Sequence, residues 1–186
     1  MAARPPILDE ANLSPRQKAI YDDIRAGPRG IVEGPLRVWL QSPELAEPAQ
    51  RLGAFCRFGS RLPPRLSELA IIIVGAHWRS GFEWRAHAPL AERAGVAPDA
   101  IEAIRRRRDV EFERAEERAV YAFARELLET RDVSESTYAR LLAAVGLEAA
   151  VDLVGILGYY TLICMTINAF RVPVGAGVAE PFAEGE

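Results

Sequence analysis

The chain has little of the equipment from which reactive sites are usually built. Its 186 residues include two cysteines and two histidines. Cys56 and Cys164 lie far apart among apolar neighbours, which fits reduced, buried thiols of a cytoplasmic protein rather than a disulfide scaffold. The opening stretch "MAARPPILDEANLSP" has early acids and no apolar core of signal-peptide length, so a secretory route is not expected. The formal net charge is −3, so no overall field would gather nucleic acid or an anionic membrane. The one basic run, Arg105 to Arg108, is followed at once by Asp109, Glu111 and Glu113 and reads as a solvated helix end. Alternating strand patterns are missing as well, which argues against a sheet.

What is present is helix. Hydrophobic residues make up 49% and charged residues 26%, a balance that supports one folded domain over residues 1–186, with 1–13 and 172–186 as surface extensions. Ser14-Pro15 is an N-cap followed by proline at the first helical position, opening a helix to about Ile24. "AGPRGIVEGP", residues 26–35, is a glycine- and proline-broken loop, read as a structural turn. Ser42-Pro43 repeats the cap-and-proline pattern and starts a helix to about Phe58. "RLSELAIIIVGAHW" is apolar nearly all round and predicts a deeply buried helix. After a break at Ser80-Gly81, "FEWRAHAPLAERAG" ends at Gly95, a C-cap glycine. Pro98-Asp99 begins a short helix.

The stretch after Val110 predicts an amphipathic helix of about five turns. Phe112, Ala115, Ala119, Ala122 and Phe123 fall on one side, and Glu113, Arg114, Glu117 and Arg118 on the other. Ser134 caps a further helix that ends at Gly146. From Leu153 to Phe170 no charge occurs, and that run just reaches membrane-spanning length. Its two tyrosines, two threonines and asparagine favour a helix buried at a bundle centre or a subunit interface. The sum is an all-α bundle of seven or eight helices.

The chemistry concentrates in "SGFEWRAHAPLA", residues 80–91. Residues four apart share a helix face, so Glu83 and His87 are neighbours. A carboxylate beside an imidazole favours the imidazolium, which suits a general acid working near neutral pH. Glu68, at the start of the buried helix, cannot be an isolated carboxylate in an apolar setting. An antiparallel hairpin of the two helices would bring it to the same face. Spacing alone leaves three readings open. They are an acid–base set of Glu68, Glu83 and His87, a metal site using His77, His87, Glu68 and Glu83, and a binding face that transforms nothing. His77, between Ala76 and Trp78, reads as a packed or capping histidine, and Phe82 and Trp84 read as core rings.

"RLPPRLSELAIIIVGAHWRSGFEWRAHAPLAERAGV" resembles the signature stretch of the carboxymuconolactone decarboxylase family, which includes the alkylhydroperoxidase D-like proteins. "GPRGIVEGP" and "GYYTLICMTINAFRVPV" resemble flanking stretches of its longer members, so the likeness spans roughly residues 14 to 175. It implies an alkylhydroperoxidase D-like helical fold and a homo-oligomer (dimer, trimer or hexamer). The peroxidase branch carries a glutamate, eleven residues, Cys-x-x-Cys, three residues and a histidine. On that frame this chain places Glu68, Ser80-Gly-Phe-Glu83 and His87. Both cysteines are missing, and thiol–disulfide chemistry needs a thiolate, so thiol peroxidase activity is not expected.

What the resemblance then implies is a lyase or decarboxylase, or a related proton-transfer isomerase, working without organic cofactor or metal on a small conjugated carboxylated compound such as a lactone acid. His87 would be the acid, Glu83 would orient and charge it, and Glu68 would be a second proton carrier or orienting group. Ser80, Trp84 and His77 are the candidate substrate contacts, and Arg79 or Arg85 would hold a substrate carboxylate. The expected partners are a small-molecule substrate and further copies of the chain, with neither nucleic acid nor membrane.

Overall fold

The structure is a computed structural model that describes residues 4–5, 8–175 and 177–183. The parts of the two terminal extensions outside those ranges lie beyond the described residues. Nine α-helices and no strand occur among the described residues. They are α1 (Pro15–Ala26), α2 (Pro35–Trp39), α3 (Pro43–Ala54), α4 (Pro64–His77), α5 (Gly81–Arg93), α6 (Pro98–Arg105), α7 (Ala115–Thr130), α8 (Glu135–Val145) and α9 (Leu147–Phe170).

The extra helix relative to the seven or eight expected is α2. It begins where the glycine- and proline-rich loop ends, and five residues are too few to show a helical period. Local chemistry sets most of the other boundaries. Ser14 and Gln17 form a reciprocal capping box at α1, and Ser134 accepts from the Thr137 amide at α8. Ser42 holds the N-cap position of α3 but its side chain makes no capping bond, so Pro43 alone marks that start. Gly95, with φ +96°, closes α5 in the left-handed region that suits glycine.

Two other departures have physical causes. The helix expected to run to Phe58 leaves α-geometry after Ala54 and widens into a π turn, Phe55–Gly59, a deviation often found beside functional sites. The amphipathic helix begins at Ala115 rather than Val110. Glu117, expected on its solvent side, is buried because Arg65 reaches it at 2.5 Å and Glu116 at 2.8 Å.

α4 is the axis of the bundle and packs against α5, α7 and α9. Every residue from Leu66 to Ala76 is buried, as an all-round apolar sequence requires. α9 is the second core helix. By length and composition it is the one helix among the described residues that could cross a membrane, and 56% of its most apolar stretch is buried inside the chain. The turn joining α4 to α5 is tight: Arg79 takes φ +48° and the Ser80 amide donates to the Gly75 carbonyl at 2.9 Å. α5 therefore runs back along α4. Of the carboxy-terminal extension, Phe182 is tucked edge-on against Trp84, while Arg79 and Arg105 donate to the carbonyls of Phe182 and Pro181.

Candidate functional site

The return of α5 along α4 decides what its polar residues meet. Glu83 and His87 lie one turn apart on α5, and Glu68 lies on the first turns of α4, the level that His87 reaches on the way back. His87 Nδ1 stands 2.7 Å from Glu68 Oε2, and Nε2 stands 3.0 Å from Glu83 Oε1. All three side chains are buried. Ionised carboxylates only accept hydrogen bonds, so a ring with one at each nitrogen must carry two N–H groups. The geometry therefore calls for an imidazolium. Burial by itself lowers the proton affinity of His87, but Glu83 and then Glu68 outweigh it and push the pKa up to about 9. Two carboxylates and one imidazolium leave the cluster one negative charge.

One side of this cluster opens on a cavity of about 70 Å³. Glu83 and His87 form its floor, and Phe82, Ala86, Tyr159, Tyr160 and Ile163 its walls. The Tyr160 ring meets His87 edge-on at 5.2 Å, and its hydroxyl is buried without a partner. Burial, then the Glu83 charge, drives the Tyr160 pKa well above its ordinary value, so the phenol stays protonated and can only donate or accept as a neutral group. The loop read as a structural turn also contributes Arg29, Ile31 and Glu33, and the π turn contributes Arg57. Gly34, with φ +57°, sits where a Cβ would lie 2.4 Å from the Phe82 ring, so this position has to be glycine for Phe82 to close the wall.

The other candidates lie elsewhere. Ser80 is completely buried at the start of α5, beside the Cys164 thiol, and does not line the cavity. Trp84 faces the core on the opposite side of α5 and packs on Phe182. His77 lines a separate, smaller cavity with Ile73, Arg107, Tyr121 and Glu129. The four-residue metal set of His77, His87, Glu68 and Glu83 is therefore not assembled, and no group of three or more potential ligands placed to hold a metal occurs among the described residues. Arg79 is spent on the Phe182 carbonyl, and Arg85 lies over the outer Phe82 ring; neither reaches the cavity. The arginines that do reach it, Arg29 and Arg57, carried no sequence signal beyond their loop and turn.

Both thiols are buried. Burial is the main cause that pushes Cys56 up to about 11 and Cys164 further still. Thiols so placed stay protonated at neutral pH and are poor nucleophiles.

Residues 43–126 match the family model described as the carboxymuconolactone decarboxylase family. Solved structures share the fold over almost the whole chain. A variant of the debrominase Bmp8 in complex with 2,3,4-tribromopyrrole superimposes with a TM-score of 0.74 at 16% identity, covering 95% of this chain and 94% of that one. An uncharacterized peroxidase-related protein from Silicibacter sp. TM1040 gives 0.72 at 16% identity, covering 94% and 92%. No curated protein matches the sequence.

Proposed function

We propose that this chain, a member of the carboxymuconolactone decarboxylase family, is a proton-transferring lyase or isomerase that works on a small conjugated acid without an organic cofactor. The observation that carries the reading is the buried Glu68–His87–Glu83 cluster opening on a small cavity lined by apolar and polar side chains in about equal measure. At about 70 Å³ the cavity falls well below the few hundred Å³ of a pocket for drug-sized ligands, so the ligand is small.

Both ring nitrogens of His87 are engaged, which alters the roles expected of the three residues. Glu83 and His87 both border the cavity; Glu83 is the carboxylate that relays the proton, and His87 is the proton store. Glu68 holds the far nitrogen and fixes the ring. In a decarboxylation, the bond from the substrate carbon to its carboxylate breaks and the electron pair flows into the conjugated carbonyl. Tyr160, a neutral donor without a partner, is suited to meet the charge that develops on that oxygen. The proton needed at the substrate carbon passes from His87 to Glu83 and from Glu83 to the carbon; Glu83 is then a carboxylate again, and His87 takes a proton from water before the next cycle. The same parts would serve an isomerisation, in which the proton leaves one carbon and returns to another.

The debrominase and the peroxidase-related protein share only the fold at their level of identity. A thiol-based reaction in this chain is disfavoured by Ser80 and Glu83 at the Cys-x-x-Cys positions and by the two protonated, buried thiols.

The working form is a homo-oligomer in this reading. α9 leaves Leu147, Val151, Val154 and Met165 exposed along one side, and the π turn beside it leaves Phe55 and Phe58 exposed, an apolar surface larger than scattered single residues would give. Light scattering on the wild type and on Val151→Arg tests this part, the substitution being expected to shift the protein to a smaller species.

The catalytic reading is tested by screening conjugated keto acids and lactone acids for carbon dioxide release or loss of ultraviolet absorbance. Turnover by the wild type and its loss in His87→Gln is the expected result. A panel bound but never turned over would make the protein a binding module instead.

A further inference from the structure

The cavity beside His87 holds more unmatched hydrogen-bond donors than the proton-transfer reading uses. Arg29 comes from the α1–α2 loop, Arg57 from the π turn and Tyr160 from α9, and all three line the same cavity. The Arg29 Nη2 donates to the Tyr159 hydroxyl at 3.2 Å, but its Nε is buried and has no acceptor. Tyr160 Oη is buried with no partner either, and the residue is 2% exposed. Arg57 rests on the Phe58 ring at 5.1 Å, and neither arginine has a carboxylate within ion-pairing distance among the described residues.

A buried donor without an acceptor is costly, and a charged one more so. Such groups are tolerated where a ligand supplies the missing acceptor. The walls do not supply it: the Glu83 carboxylate is turned to His87, and Glu33 lies at the exposed rim. The arrangement of Arg29 is also built rather than accidental. Gly53 packs so close that a Cβ there would lie 2.0 Å from Tyr159 Oη and 2.4 Å from Arg29 Nη2, so a larger residue would displace the pair from this position.

We propose that Arg29 and Arg57 form a clamp for a carboxylate group of the ligand, with the Tyr160 hydroxyl donating to a second oxygen on the same molecule. A guanidinium presents parallel N–H groups that match a carboxylate in a plane, whereas an uncharged carbonyl would leave one arginine unsatisfied. The clamp makes charge, rather than apolar shape alone, the basis of selection. This inference rests on the site assigned above and sharpens its substrate class, but it concerns binding and does not require turnover.

The test compares sorbate, a small conjugated carboxylate, with sorbamide, its uncharged counterpart of nearly the same shape, by calorimetry and ligand-observed NMR. The wild type is expected to bind sorbate saturably and to discriminate against sorbamide. Arg29→Gln and Arg57→Gln should each weaken sorbate by about tenfold or more while changing sorbamide little, as expected for loss of one charge-assisted contact. Arg93→Gln, exposed on α5 away from the cavity, should bind sorbate as the wild type does. Thermal unfolding checks each variant; if Arg29→Gln does not fold, Arg57→Gln, half-buried on the π turn, carries the test. Equal binding of acid and amide, unchanged sorbate affinity in a folded arginine variant, or no saturable sorbate binding by the wild type would each overturn the clamp. Arginine-dependent sorbate binding in a protein that turns over no acid would leave the clamp standing and end the catalytic reading.

Discussion

The two histidines sit ten residues apart on adjoining helices and have opposite fates. His87 is enclosed between two carboxylates, and its proton affinity rises to about 9. His77 is half-buried at the end of α4, where burial first and the Arg107 charge second lower its affinity, against a weaker pull from Glu129. Each borders a cavity, and each lies near at least one acid. What separates them is the packing partner. α5 folds back to bring Glu68 and Glu83 to opposite edges of one ring, whereas the neighbours of His77 come from the basic end of α6 and from α7. Charge placed by the fold, and not the presence of imidazole, makes one of them a proton store.

The contrast can be broken most severely at His87 itself. His87→Gln should lower turnover of a responsive acid by about 10²–10⁴-fold, the usual contribution of a positioned acid–base group, whereas His77→Gln should leave it within a factor of about two. Steady-state rates on the two variants check this.

A smaller effect should appear in stability. The folded protein keeps the His87 proton up to about pH 9, while the unfolded chain releases it near 6.5. The stabilisation is therefore complete below about 6.5 and is lost as pH rises through 9, a change on the order of 3 kcal/mol. Urea unfolding of the wild type across this window should show that fall, and His87→Gln should flatten it. Glu68→Gln removes one of the two charges holding the proton. It should move the same transition towards neutral pH by on the order of one unit, read from the same unfolding series. The least effect is expected from His77→Gln on stability, about 1 kcal/mol or less with no change in the shape of the pH dependence.

The Glu68–His87–Glu83 cluster was legible in the sequence because it follows from local rules. The spacing of four between Glu83 and His87 is a helix face, and the Ser80-Gly81 break after an all-apolar helix implies a hairpin that returns towards Glu68. The all-helical class followed from the same period. What lines the rest of the cavity depends on non-local packing. Arg29 is brought in by a loop whose glycines looked merely structural, and Arg57 by a π turn that has no periodic signature. Tyr160 lies in a charge-free helix that reads as core, and only the orphaned hydroxyl shows its second use. Ser80, Trp84 and His77 were near the motif in sequence, but a helix turns its neighbours to different sides. Ser80 and Trp84 consequently face the interior, and His77 borders another cavity.

The most direct measurement is NMR of the two imidazole rings as pH is raised. Both His87 nitrogens are expected to carry protons through neutral pH and the ring to titrate near 9, while His77 titrates below its ordinary value. A His87 ring that titrates at or below 6.5, or that shows one bare nitrogen at pH 7, would contradict it.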